Sequence, residues 1–509
     1  MKSIFKLIAV MAVLLSACND DLLYQDNPNQ LTSDQFWQNE EHAIMGVNAA
    51  YSALQDLGTF ARWHTYAYDC RSDEVYNLSP WTELQNFTMF TISNYDFDPN
   101  RDLWIHMYTA VYRTNQVLDH VPAISMDEDL QKRIIAEAKF IRALIFYNLG
   151  TLFGNVPLVL RESTPEDRPE QNSQEEVYQQ AINDLTGALP DLPDTYPNSE
   201  LGRATKGAAR ALLAKVYMQQ HRWQEAADQF ELVINSPANY SLTINYKDNF
   251  TDVNENNEES IFEVQFRAGE ASCRDCPGGA EGSERAIFFA PAGVGWNEGH
   301  FRPWVLDEFM KEQTRDGKVD PRLAVTMFYN KAIYNPTDPD TLVYGLGYVR
   351  RYGKASQRTW FRKYQNDYKQ KFEGWQSGIN CRLIRLADVY LLYAEAKNEL
   401  NDINTAIEFI DKVRDRSNIP SLLDVKASWT KEELRSQLQN HERVLELASE
   451  STRWFDLVRW GWFENEAELE KLRTRDEDFN FFVMEKSVFL PIPTHEINNN
   501  PNLVQNNGY

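Results

Sequence analysis

The chain has 509 residues, 43% of them hydrophobic, and carries 75 Asp and Glu against 51 Lys and Arg, for a formal net charge of −24. That balance excludes a general nucleic-acid binder, which needs clustered Lys and Arg to neutralise phosphate, and a body that docks on an anionic bilayer by charge. Aromatic content is high, with 13 Trp, 24 Tyr and 27 Phe, and aromatics commonly fill cores. Trp and Tyr also stack on the flat apolar faces of sugar rings, so sugar binding enters as a possibility on composition.

Lys2 and Lys6 precede an apolar run, Leu7 to Leu15, that is too short to cross a bilayer. Leu15-Ser16-Ala17-Cys18 then follows the lipobox order of bacterial lipoproteins. The expectation is a signal peptide over 1–17 and a mature chain that begins at a lipidated Cys18. Residues 18–40 would be the tether to the membrane. An ordinary signal peptide with a chance cysteine is the plainer alternative. The acidic pair Asp20-Asp21 behind Cys18 resembles the surface-export signal of Bacteroidetes lipoproteins. After Cys18 no apolar stretch is long enough for a transmembrane helix.

Apolar residues at helical spacing predict helices over 43–57, 103–120, 129–152, 173–189, 206–220, 223–235, 381–400, 404–417 and 431–461. One half-buried strand is predicted over 260–267, where Phe262, Val264 and Phe266 alternate with Glu263 and Gln265. Between 237 and 380 the periodicity fails among Gly, Pro, Asn and aromatics. Leu213-Ala214-x-x-Tyr217 followed by Ala226-x-x-x-Phe230, and Tyr393-Ala394 followed by Ala406-x-x-x-Ile410, place paired alanines twelve residues apart. That is the pattern of tetratricopeptide hairpins, in which small residues let two helices approach. Two further hairpins are expected in 41–121 and 132–189, each stretched by an insertion. The expected fold class is all-α: a tetratricopeptide-like helical-hairpin scaffold with long irregular inserts and a few short strands. Its first part is 41–236, with a ligand-loop insert at 60–102; an irregular insert at 237–380 and a second part with its tail at 381–509 follow.

Three segments are more specific. Arg142-Ala143-x-x-Phe146-Tyr147 leads into Leu152-Phe153-Gly154-Asn155-Val156-Pro157. Glu442-Arg443-x-x-Glu446 leads through Glu450 and Arg453 to Asp456-Leu457-x-Arg459-Trp460-Gly461. The chain ends with Leu490-Pro491-Ile492-Pro493 and Asn500-Pro501-Asn502-Leu503-x-Gln505-Asn506-x-Gly508-Tyr509. With the lipobox and the paired alanines, these resemble the SusD/RagB family of outer-membrane lipoproteins over essentially the whole chain. The resemblance implies a non-enzymatic, surface-exposed lid on a SusC-like TonB-dependent transporter, capturing oligosaccharide and held to the outer membrane by lipid. Glu442, Glu446 and Glu450 share a helix face, but the interleaved Arg443, Arg453 and Arg459 favour a surface ion-pair network over an acid–base or metal site.

No cofactor or metal site is expected. Cys273-x-x-Cys276 has ligand spacing but no second pair and no nearby His, so a local disulfide or free thiols suit it better. With Cys70 and Cys381, three pairings stay open. Asp338 and Asp340 alone are weak calcium ligands.

The candidate ligand residues lie in two inserts. The first, 62–101, offers Trp63, Asp69, Arg71, Asp73, Trp81, Glu83 and Asn86. The second offers Arg274, Arg285, Trp296, Asn297, His300, Arg302 and Trp304. Within these, Arg71, Asp73, Trp81, Trp296 and Arg302 are the preferred contacts. From Tyr348 to Lys371, eight cations stand against the lone Asp367, among Tyr352, Trp360, Phe361, Tyr364 and Tyr368. Arginine forks pair with carboxylate and sulfate oxygens, so Arg350, Arg358, Trp360 and Arg362 are read as contacts to an anionic glycan such as ulvan, alginate or pectin. The plainer reading is a solvated face that neutralises acidic neighbours. Capture of a neutral glycan or a peptide by the same lid, and a hydrolase or lyase built on Asp69 with Asp73 or Glu83 with Asp98, are the alternatives.

Overall fold

The computed structural model describes residues 36–268, 281–334 and 340–509. Cys18, Arg274, Cys273, Cys276 and Asp338 lie outside the described residues. Eight helices build the scaffold: α1 (Glu40–Ser52), α2 (Asp98–His120), α3 (Glu128–Phe153), α4 (Gln174–Ala188), α5 (Lys206–Gln219), α6 (Trp223–Ile234), α7 (Leu386–Glu399) and α8 (Ile403–Arg416). Each packs on the next in chain order, so α1–α2, α3–α4, α5–α6 and α7–α8 form four stacked hairpins. Local chemistry starts them cleanly. The side chains of Asp127, Thr205 and Asp402 cap α3, α5 and α8, and Ser173 with Glu176 makes a capping box on α4. Ala214, Ala226, Ala394 and Ala406 are fully buried, which lets the paired helices close on one another.

Two helical expectations are corrected. Cys381–Arg385 is a strand, β4, and only then does α7 begin. It pairs antiparallel with β2 (Ser260–Val264), which ends three residues earlier than the alternation suggests. The segment 431–461 is not one helix. It runs Lys431–Gln437, a π-helical turn Leu438–Glu442, Arg443–Leu447, and a separate helix Arg453–Arg459. Ser449 and Ser451, both with φ near +60°, make the break.

The charged segment is also an interior and not a surface. Glu446 accepts from Arg385 (2.6 Å), Arg416 (2.5 Å) and Arg322 (3.2 Å), and all four side chains are buried. Arg385 also holds Glu259 at 2.8 Å and Glu450 at 2.7 Å, and Lys363 takes Glu450 at 2.7 Å. Burial alone would raise the Glu446 pKa, but the three guanidiniums hold it well below the usual carboxylate range. A second chain of pairs runs from Lys215 through Asp388, Arg443, Asp456 and Arg459 to Glu395, tying α5 to α7.

The tail is packing. Leu490 N donates to Leu152 O (2.7 Å) and the Asn506 amide to Phe153 O (2.9 Å), satisfying carbonyls at the end of α3. Cys70 and Cys381 are free thiols. Among the described residues no helix is long and apolar enough to cross a membrane, and no group of three His, Cys, Asp or Glu is placed to hold a metal.

Candidate functional site

A short ribbon joins the two inserts. β1 (Val75–Asn77) pairs antiparallel with β3 (Gly299–Phe301), in the register Val75–Phe301, Tyr76–His300 and Asn77–Gly299. Because the strands are antiparallel, the chain leaving β1 and the chain entering β3 lie at the same end. Trp81 sits four residues beyond β1, and Trp296 three residues before β3. Leu78 N donates to Glu298 O (2.7 Å) and extends the ladder toward both. Gly299 is required here: a Cβ would fall 2.2 Å from the Phe289 ring.

Of the thirteen tryptophans, three expose more than a third of their surface: Trp81 (37%), Trp296 (43%) and Trp375 (41%). All three belong to one aromatic chain. Trp81 packs edge-on against Phe97 (centroids 4.7 Å) and faces Trp63 at 6.5 Å. The Arg62 guanidinium is sandwiched between Trp63 (3.8 Å) and Phe288 (3.7 Å). Phe288 meets Trp296 edge-on at 4.3 Å, and Trp296 meets Trp375 at 4.8 Å. Edge-to-face packing fixes ring planes while leaving a flat face free, which is what a sugar platform needs.

Buried groups set this surface from below. Trp63 Nε1 donates to Asp102 at 3.1 Å. Glu298 accepts from the hydroxyls of Tyr66 and Ser79, and burial pushes its carboxyl pKa up. Arg62 has its pKa lowered by burial and reaches Glu284 at 3.4 Å. Trp296 stands on a turn in which Asn297 has φ +64°; Trp360 Nε1 donates to Asn297 Oδ1 at 2.6 Å and holds that turn. Glu373 N bonds Val294 O (3.0 Å), which brings the Trp375 segment alongside.

Several residues read from the sequence as ligand contacts are instead interior. Arg71 is buried on Trp454 (4.3 Å) and donates to Ser487 O. Asp73 is fully buried between Arg453 (2.7 Å) and Arg475 (2.9 Å), so it has no free oxygen facing solvent. Asp69 is taken by Ser451 N and Oγ, both at 2.8 Å. Arg302 is buried, paired with Asp476 and Asp478 and stacked on Tyr76. Trp360 has no exposed surface and acts through Asn297. The shared cause is that ion-pair saturation and burial are invisible to residue type.

The basic stretch divides. Arg362 pairs with Asp367 (2.8 Å), Lys363 with Glu450, and Lys369 with Asp252. Arg350, Lys354, Arg358 and Lys371 are exposed, with no carboxylate partner among the described residues. Their segment borders the platform: the Tyr352 hydroxyl donates to Ala292 O (3.0 Å), in the loop that carries Trp296. Arg62 and Trp375 are the residues missed from sequence. Trp375, flanked by Gly374 and Gln376, lies in the same aperiodic insert as Trp296 and had the same signal.

A sequence model of the SusD family matches residues 235–509, more than half of the chain, and one described as starch-binding associating with outer membrane matches 47–218. SusD-like protein P25 of Formosa agariphila is 27% identical, over 99% of both chains. Among solved structures, a SusD superfamily protein from Bacteroides vulgatus superposes with a TM-score of 0.81 at 27% identity, over 93% of this chain and all of that one. A laminarin-binding SusD-like protein superposes at 0.74 with 28% identity, again over 93% and 100%. With the helical-hairpin fold, these matches establish that the chain belongs to the SusD family.

Proposed function

We propose that this protein is a carbohydrate-binding protein of the outer membrane that captures glycan on the Trp81–Trp296–Trp375 platform. The observation that carries the reading is that the exposed tryptophans fall on one connected aromatic chain. Membership of a family with starch-binding and laminarin-binding relatives supports it. In this reading Cys18 bears the lipid anchor, the protein is exposed at the cell surface, and a SusC-like TonB-dependent transporter receives the captured glycan. The chain itself performs no chemistry on the sugar.

The favoured substrate is an anionic polysaccharide, uronate-rich or sulfated. Arg350, Lys354 and Arg358, exposed and with no carboxylate partner among the described residues, lie on the segment that Tyr352 ties to the Trp296 loop, in a protein whose net charge would otherwise repel such a chain. The test is calorimetry and affinity gels on protein starting after Cys18, with alginate, pectin and ulvan beside neutral glucans at low and high salt. Anionic binding that weakens with salt supports the reading. Binding confined to a neutral glucan would discard the anionic substrate and keep the platform; no glycan binding at all would discard both.

A further inference from the structure

Helix α2 starts at the platform and leads away from it. Phe97, just before its first residue, packs on Trp81, and Asp102 accepts from Trp63. Ile105, Thr109 and Tyr112 follow Asp102 at i+3, i+7 and i+10, so they share its helix face. That face lines a groove of about 640 Å³, with Tyr108 beside it and the rim completed by Pro157, Pro165 and the tail residues Glu496 and Asn499. At 1.5 Å per residue, Tyr112 lies roughly 15 Å along the axis from Asp102. The groove therefore lies along the same helix whose start carries the Trp63 and Trp81 end of the platform.

Its walls suit sugar. The Tyr108 hydroxyl donates to Pro157 O (2.9 Å) and the Tyr112 hydroxyl to Glu162 (3.0 Å), which anchors both partly exposed rings. Across from them, the Asn499 side chain is exposed, and the Glu496 carboxylate can accept from hydroxyls. The volume is in the range of small-molecule sites. The lining carries Asp167, already paired with Arg161, and Glu496 beside a single Arg168, so it offers an anionic sugar no cation cluster and an uncharged one hydrogen-bond acceptors.

We infer that this groove is a second glycan subsite, taking uncharged sugar residues of the same polysaccharide chain whose other part rests on Trp81, Trp296 and Trp375. The inference rests on the platform reading. Two linked contacts raise the affinity of a long chain and do nothing for a short one.

Calorimetry with intact pectin and laminarin, and with tetrasaccharides of each, provides the test, using the wild type, Tyr112→Ala, Asn499→Ala and Trp296→Ala. Expected is a loss of about five- to ten-fold for Tyr112→Ala on whichever polysaccharide binds, a smaller loss for Asn499→Ala, and unchanged tetrasaccharide affinity. Trp296→Ala should weaken both chain lengths. If both groove variants bind polysaccharide as the wild type does while Trp296→Ala fails, the second subsite falls and the platform stands. Equal losses of Tyr112→Ala on short and long chains, with Asn499→Ala unaffected, would mark a structural fault and also overturn it. If Trp296→Ala changes nothing, or neither polysaccharide binds, the platform reading falls and takes the groove with it.

Discussion

The ion lattice around Glu446 and the surface around Trp296 are made of the same materials, arginine beside aromatic rings, and differ in what is left unsatisfied. In the lattice every guanidinium on Glu446 is buried and charge-matched, and Tyr246 stacks beneath Arg416 (4.7 Å). On the platform the rings keep a face toward water, and the exposed Arg350, Lys354 and Arg358 beside it have no carboxylate partner among the described residues. Residue type does not separate architecture from recognition; partner saturation does. The Glu442–Gly461 segment, one of the three that carry the family resemblance, is thus largely interior.

The widest contrast comes from Glu446→Ala, which leaves Arg322, Arg385 and Arg416 buried without their shared carboxylate. Stability should fall by about 3–5 kcal/mol in chemical denaturation. A loss below about 1 kcal/mol would mean the lattice is not the structural interior described here.

Trp296→Ala is the converse: glycan affinity should fall by about 2 kcal/mol, roughly thirty-fold, with the unfolding midpoint almost unmoved. A variant that loses stability and affinity together would erase the distinction between the two regions.

His441 probes the interior by pH. It sits between Glu308 (2.7 Å) and Glu312 (3.0 Å). Burial works against its charge, but these two carboxylates prevail and raise its pKa to about 9. A folded-state value above the unfolded 6.5 means this contribution is fully present below pH 6.5 and disappears as pH rises through about 9. The size is on the order of 3 kcal/mol. Urea titrations between pH 6 and 10 should show that decline, and His441→Gln should flatten it.

Arg358→Ala has the smallest effect. On an anionic glycan it should cost about 0.5–1 kcal/mol at low salt and nearly nothing at high salt. A loss that ignores salt would reassign Arg358 to packing.

The four hairpins were legible in the sequence because helix periodicity is a local signal, reinforced in two of them by the twelve-residue alanine spacing. The breaks were not. Ser449 and Ser451 adopt left-handed backbone without glycine, and nothing in the spacing of Leu445, Leu447 and Trp454 reveals it. The ribbon that assembles the candidate site was equally hidden, since Val75-Tyr76-Asn77 and Gly299-His300-Phe301 are too short to alternate. Trp81 and Trp296 could be named by type and position. That Asp73 and Arg302 face inward required knowing where Arg453 and Asp476 arrive, hundreds of residues away in one case.

The lattice also constrains how the chain comes into being. Its members come from residues 259, 322, 385, 416 and 446, so an emerging polypeptide carries the arginines before it carries the glutamate that joins them. Before residue 446 arrives, Asp320 can pair Arg322, and Glu259 can pair Arg385 and Arg416. The one carboxylate that joins all three arginines is still missing, and a closed interior would hold excess positive charge. The last closure of this interior therefore depends on residue 446, well after the helices of the first three hairpins are complete in the chain.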